Sequence, residues 1–87
     1  MLIGSRTAEE LTILLRKGYF ANGKQRITME EREGAPYPKI RLWDDWERRQ
    51  SHLYASSLAL VLELTRVDLS GWQWYASTEG SDPAAEP

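Results

Sequence analysis

The sequence predicts a small α+β domain, an antiparallel sheet with two helices, in the order β-α-β-β-α-β. Residues 24–32 and 39–43 alternate apolar and polar side chains with the period of a strand, separated by a Gly- and Pro-rich break. Thr7-Ala8-Glu9-Glu10 has the spacing of a helix-opening capping box, followed by a leucine stripe. A long stretch after Asp44 repeats its apolar residues at helical spacing and contains Leu58-Ala59-Leu60-Val61-Leu62-Glu63-Leu64. A chain of 87 residues buries only about 60–65% of its unfolded surface. Its four Trp and four Tyr must therefore either fill much of the core or anchor a partner.

Leu2-Ile3 supplies a short first strand. Thr7 then caps a helix in which Leu11, Leu14 and Leu15 form one stripe, and Arg16 and Lys17 suit the negative end of the helix dipole. The helix continues through Tyr19-Phe20-Ala21 to Asn22-Gly23, with Tyr19 on the face of Leu11 and Leu15. The competing reading ends it at Gly18 and makes Asn22-Gly23 a tight hairpin turn. In the next strand Gln25, Ile27 and Met29 point one way, and Lys24, Arg26, Thr28 and Glu30 the other. Gly34-Ala35-Pro36-Tyr37-Pro38 ends it, because Pro lacks a donor and holds its predecessor extended. Ile40 and Leu42 then oppose Lys39, Arg41 and Trp43, giving an antiparallel pair joined by the Pro-rich loop.

Asp44-Asp45-Trp46-Glu47 places acids in the first turn of a second helix running to about Arg66. Asp44–Arg48 and Asp45–Arg49 are i,i+4 pairs in the favourable orientation. Trp46, Leu53, Tyr54, Leu58, Val61 and Leu62 make its apolar face. Asp68-Leu69-Ser70-Gly71 turns the chain into a last strand, where Trp72 and Trp74 alternate with Gln73 and Tyr75. The resulting order is that of the ferredoxin-like split βαβ pattern. Residues 1–77 form the domain. Residues 78–87 hold Glu79, Asp82 and Glu86, no base and no large apolar residue, and read as a disordered acidic tail.

The formal net charge is −2. Since the tail carries −3, residues 1–77 hold eleven Lys and Arg against ten Asp and Glu. That near-neutral balance is far from the basic excess of a typical nucleic-acid binder. With no cysteine there is no disulfide framework and no Cys-based zinc site, which fits a reducing compartment. The N-terminus lacks a secretory h-region, and the longest apolar run is too short to span a bilayer. These features predict a cytoplasmic protein without membrane partners.

His52 is the single histidine, and helix-paired acids do not make a metal site with it. No Ser-His-Asp constellation and no Gly-rich phosphate loop is visible. The expectation is a non-enzymatic chain with neither cofactor nor metal. Lys24, Arg26, Lys39 and Arg41 fall on the outward phase of the two paired strands, with Trp43 beside them. That face reads either as a solvated surface with Glu30 as counter-charge or as a contact surface. Tyr37, held between two prolines, and Trp43, opposite in phase to Ile40 and Leu42, are anchor candidates, together with Arg26, Arg41 and Arg48. The all-round apolar run 58–64 also offers a surface to a second copy, making a homodimer.

Two resemblances add to this. Thr7-Ala8-Glu9-Glu10-Leu11 with Leu14-Leu15, followed by Arg32-Glu33-Gly34-Ala35-Pro36-Tyr37-Pro38-Lys39, resembles excisionase-like winged helix proteins. The match covers under half of the chain, and residues 27–31 alternate like a strand where that family has its recognition helix. It implies a small DNA-binding accessory protein with Lys24, Arg26, Lys39 and Arg41 on phosphates. In size and build, a cysteine-free, aromatic-rich α+β domain with no catalytic set is similar to phage-encoded anti-defence proteins, including anti-CRISPR proteins. That likeness implies a protein-binding accessory or inhibitor of a phage or mobile element that sterically blocks a surface of a larger host complex.

Overall fold

The computed structural model describes residues 6–77. The expected strand at Leu2-Ile3 and the acidic tail 78–87 lie outside the described residues. Two helices lie on one face of a five-stranded, fully antiparallel sheet. The elements are α1 (Ala8–Lys17), β1 (Gly18–Asn22), β2 (Gln25–Glu30), β3 (Lys39–Asp45), β4 (Gln50–Ala55), α2 (Leu58–Thr65), a 3₁₀ turn (Leu69–Gly71) and β5 (Gln73–Ala76). The sheet order is β4-β3-β2-β1-β5. Four strands form a meander, and α2 carries the chain back across the sheet to the far edge.

The α+β class therefore holds, but the ferredoxin-like order does not describe residues 6–77, whose order is α-β-β-β-β-α-β. Two segments account for the difference. The first helix stops at Lys17, and Tyr19-Phe20-Ala21 belongs to β1. Gly23, at φ 62°, turns the β1–β2 hairpin, as in the competing reading. The second difference lies after Asp44. Instead of opening a helix, Asp45 accepts the backbone N–H of Arg48 through Oδ1 at 3.2 Å. Arg49 takes a left-handed conformation at φ 56°, and the chain reverses into β4. The N–H of Trp46 donates to the carbonyl of Lys24 at 2.9 Å, pinning this turn to the neighbouring hairpin. The Asp44–Arg48 and Asp45–Arg49 helix pairs do not form. Arg48 is instead paired with Asp45 three residues away, at 3.8 Å.

The helix after residue 44 shrinks to eight residues, Leu58–Thr65. Ser57 caps it by accepting the N–H of Leu60, and Arg66 closes it at φ 56°. At the first helix the capping box is complete. Thr7 Oγ1 accepts from Glu10 N at 3.2 Å, and Glu10 Oε1 accepts from Thr7 N at 3.1 Å. These contacts hold the Glu10 carboxyl below its usual range, the Thr7 backbone N–H first and its hydroxyl second.

The core lies between helices and sheet. Leu11 and Leu15 of α1 and Leu58 and Val61 of α2 meet Phe20, Ile27, Ile40 and Leu42, with Leu69 and Trp72 closing one end. The inward phases read from the sequence for Ile27, Met29, Ile40 and Leu42 are the observed ones. Trp72 is 1% exposed. Trp74 packs against the same cluster, and its Nε1 donates to the carbonyl of Leu14 at 2.8 Å. Ser77 N donates to Lys17 O at 2.9 Å. Two carbonyls that the end of a helix leaves without partners are thus satisfied from β5 and the residue after it. Because α2 has only one row in the core, Leu60 and Leu64 are left exposed, as is Ile13 of α1.

Candidate functional site

Alternation along five strands sends one set of side chains into the core and the other to a face that no helix covers. That open face carries a continuous chain of rings and cations. At the β5 edge Tyr75 stacks on Tyr19 of β1, centroids 5.5 Å apart. The Arg26 guanidinium of β2 lies 4.2 Å from the Tyr19 ring centre and 4.3 Å from that of Trp46, so it is sandwiched between them. Arg49 covers Trp46 at 4.1 Å and donates to its carbonyl. Trp46 meets Trp43 of β3 edge-to-face at 5.1 Å. Arg41 lies 4.9 Å from Trp43 and 5.1 Å from Tyr54 of β4, and the Lys39 ammonium 4.5 Å from Tyr54. Side chains from all five strands therefore touch in one sequence from edge to edge.

Three polar contacts brace the middle of the chain. Trp43 Nε1 donates to Thr28 Oγ1 at 2.9 Å, burying Thr28 beneath the indole. Arg41 donates to Ser51 Oγ at 3.1 Å, and its Nε lies 3.7 Å from Glu30 Oε1. That separation is ionic contact rather than a hydrogen bond, so the buried Nε of Arg41 has no acceptor; neither has that of Arg26. Burial between the rings lowers the pKa of Arg26, and Arg49 lowers it further, while Tyr19 opposes the shift. Among the described residues, Arg41 and Arg48 reach carboxylates on this side of the molecule, whereas Lys24, Arg26, Lys39 and Arg49 reach none.

Arg26, Arg41, Trp43 and Lys39 come together on this face as their strand phase predicts. Lys24 and Arg48 sit at the turns flanking its Trp46 end, and Tyr37 stands beside its Lys39 end. Trp43 is half-buried, locked by Thr28, Trp46 and Arg41 rather than free-standing. Trp46, expected among the core rings, belongs to the open face, because the segment it sits in is a turn and not a helix. Tyr19, Arg49, Tyr54 and Tyr75 also belong to it, and none of them is among the anchors that the sequence predicts. The signal for Tyr75 lay in its phase, opposite to Trp72 and Trp74. For Tyr54 it lay in the alternation Ser51-His52-Leu53-Tyr54-Ala55, masked by helical spacing.

His52 Nδ1 lies 2.9 Å from Asp44 Oδ2, in an exposed pair. Its neighbour Ser51 is bonded to Arg41, so serine and histidine do not converge. Among the described residues no group of three His, Cys, Asp or Glu is placed to hold a metal ion, and no helix is long and apolar enough to cross a membrane. Comparison with protein-family models, curated proteins and solved structures finds no match.

Proposed function

We propose that this chain is a non-enzymatic protein-binding module that docks through the open face of its sheet. The observation that carries the reading is the unbroken series of Tyr75, Tyr19, Arg26, Trp46, Trp43, Arg41, Tyr54 and Lys39 across all five strands. The hydrophobic core lies on the other side of the sheet and includes none of these side chains. Trp, Tyr and Arg are the residue types that carry most binding energy at protein interfaces. Here cation–π contacts worth about 0.5–2 kcal/mol each hold them in place before any partner arrives. Little side-chain entropy remains to be lost on association. Such a face suits a small accessory or inhibitor protein of a phage or mobile element, which acts by covering a surface of a larger complex.

The four cations without carboxylates favour a second reading, contact with nucleic acid phosphates as in a small DNA-binding accessory protein. Stacking of bases needs open ring faces. Arg26 already occupies faces of Tyr19 and Trp46, and Arg41 lies over Trp43, which favours the protein reading. A photo-reactive residue placed at Tyr54 or Tyr75, and separately at Ile13 or Leu64, separates the alternatives in cells of the source organism. Protein adducts from positions 54 and 75 alone are expected. Nucleic acid adducts, or protein adducts from positions 13 and 64 alone, would refute the reading.

A further inference from the structure

At one end of the open face Tyr37, Pro38, Lys39, Tyr54, Ala55 and Ser56 line a cleft of about 230 Å³. Small-molecule sites usually hold about 300–1,000 Å³, so this one suits a single large side chain better than a cofactor. Its two ring walls are among the most exposed aromatics described, Tyr37 at 70% and Tyr54 at 57%. Tyr37 stands between Pro36 and Pro38, whose fixed φ angles limit the loop that presents it. The Lys39 ammonium lies against the Tyr54 ring at 4.5 Å and reaches no carboxylate among the described residues. Its register partner on β2, Glu30, is engaged by Arg41 instead. Arg41 also contacts Tyr54, so the cleft has apolar walls with a cationic rim.

Building on the protein-binding reading, we propose that this cleft receives an apolar side chain of the partner flanked by carboxylates. The apolar side chain fills the space between Tyr37 and Tyr54, and a neighbouring carboxylate pairs with the unmet charge of Lys39. A basic segment would bring cations against Lys39 and Arg41. An apolar segment without acids would leave the ammonium unpaired as its water is displaced.

Backbone amide NMR on the full chain tests this with three blocked pentapeptides: acetyl-EEFEE-amide, acetyl-EEAEE-amide and acetyl-KKFKK-amide. The first should shift the amides of Tyr37, Lys39 and residues 54–56. The alanine peptide should bind about fivefold or more weakly, a loss of about 1 kcal/mol, and the basic peptide should not bind. Lys39→Gln should weaken EEFEE by about fivefold, as should Tyr54→Ala, with folding checked by the unchanged remainder of the spectrum. No shifts at Tyr37, Lys39 and residues 54–56 would overturn the cleft assignment, as would equal binding by Lys39→Gln. Shifts confined to Tyr19, Arg26 and Trp46 would overturn it too, while leaving the open face as a protein-binding surface. A parallel titration with single-stranded oligothymidylate that shifts the whole face would overturn both.

Discussion

Gly18→Ala tests how closely β5 is held against β1. Gly18 is in extended backbone, φ −176°, so its conformation is open to any residue. What it lacks is room. A Cβ there would lie 2.1 Å from the carbonyl oxygen of Tyr75 and 2.8 Å from Trp74 Nε1. Carbon and oxygen normally approach no closer than about 3.3 Å, so β5 must retreat by about 1.2 Å. That displacement strains the Gly18↔Ala76 and Tyr19↔Tyr75 pairs and the Trp74–Leu14 hydrogen bond. At about 1 kcal/mol for each hydrogen bond the loss is about 2–3 kcal/mol. Alanine's advantage over glycine in a strand returns about 0.5–1 kcal/mol. The net cost of about 2 kcal/mol should lower the melting temperature by about 8–16 °C, followed by circular dichroism. Gly71 has nothing within 4 Å of its would-be Cβ and serves as the control, with a change within about 0.5 kcal/mol expected on Gly71→Ala. If Gly18→Ala melts with wild type and with the Gly71 control, the close β1–β5 approach is wrong, and with it the Tyr19–Tyr75 stack.

Trp72→Ala should cost about 3–5 kcal/mol or abolish folding, because the indole is fully enclosed, whereas Tyr54→Ala should stay within about 1 kcal/mol in the same melts. Arg66 holds a left-handed conformation at the end of α2. Replacing it with glycine should therefore raise stability by about 0.5–1 kcal/mol in urea unfolding, and a loss would argue against that cap. The lowered pKa of Glu10 gives a pH signature. A depressed carboxyl contributes stability that is fully present above its unfolded value near 4.5 and is lost as pH falls through the folded value. The melting temperature of wild type should thus exceed that of Glu10→Gln at neutral pH, and the difference should close on acidification below that range.

Local signals with one physical meaning were legible in the chain. The capping box at Thr7–Glu10, the Leu11/Leu15 stripe behind it and the β2–β3 phases each stand in the structure as the sequence predicts them. The face shared by Arg26, Lys39, Arg41 and Trp43 followed from those phases. Residues 44–57 were not legible, because acids followed by arginines satisfy a helix start and an Asp-capped turn equally well. Pinning of Trp46 N by Lys24 O, between residues 22 apart in sequence, decides between them. No local pattern contains that contact. Four of the rings on the open face were hidden for the same reason. Helical spacing predicts Tyr19, Trp46 and Tyr54 on helices, and Tyr75 acquires its meaning only when β5 pairs with β1.

The most direct test of the open face as the docking surface compares paired variants against the partner captured by the wild-type chain. Tyr54→Ala with Tyr75→Ala removes a ring from each edge of the open face, and Ile13→Ala with Leu64→Ala trims the helical side. With both proteins folded by circular dichroism, the first pair should lose the partner and the second should retain it. Retention by the first pair together with loss by the second would place the contact on the helices and contradict the assignment.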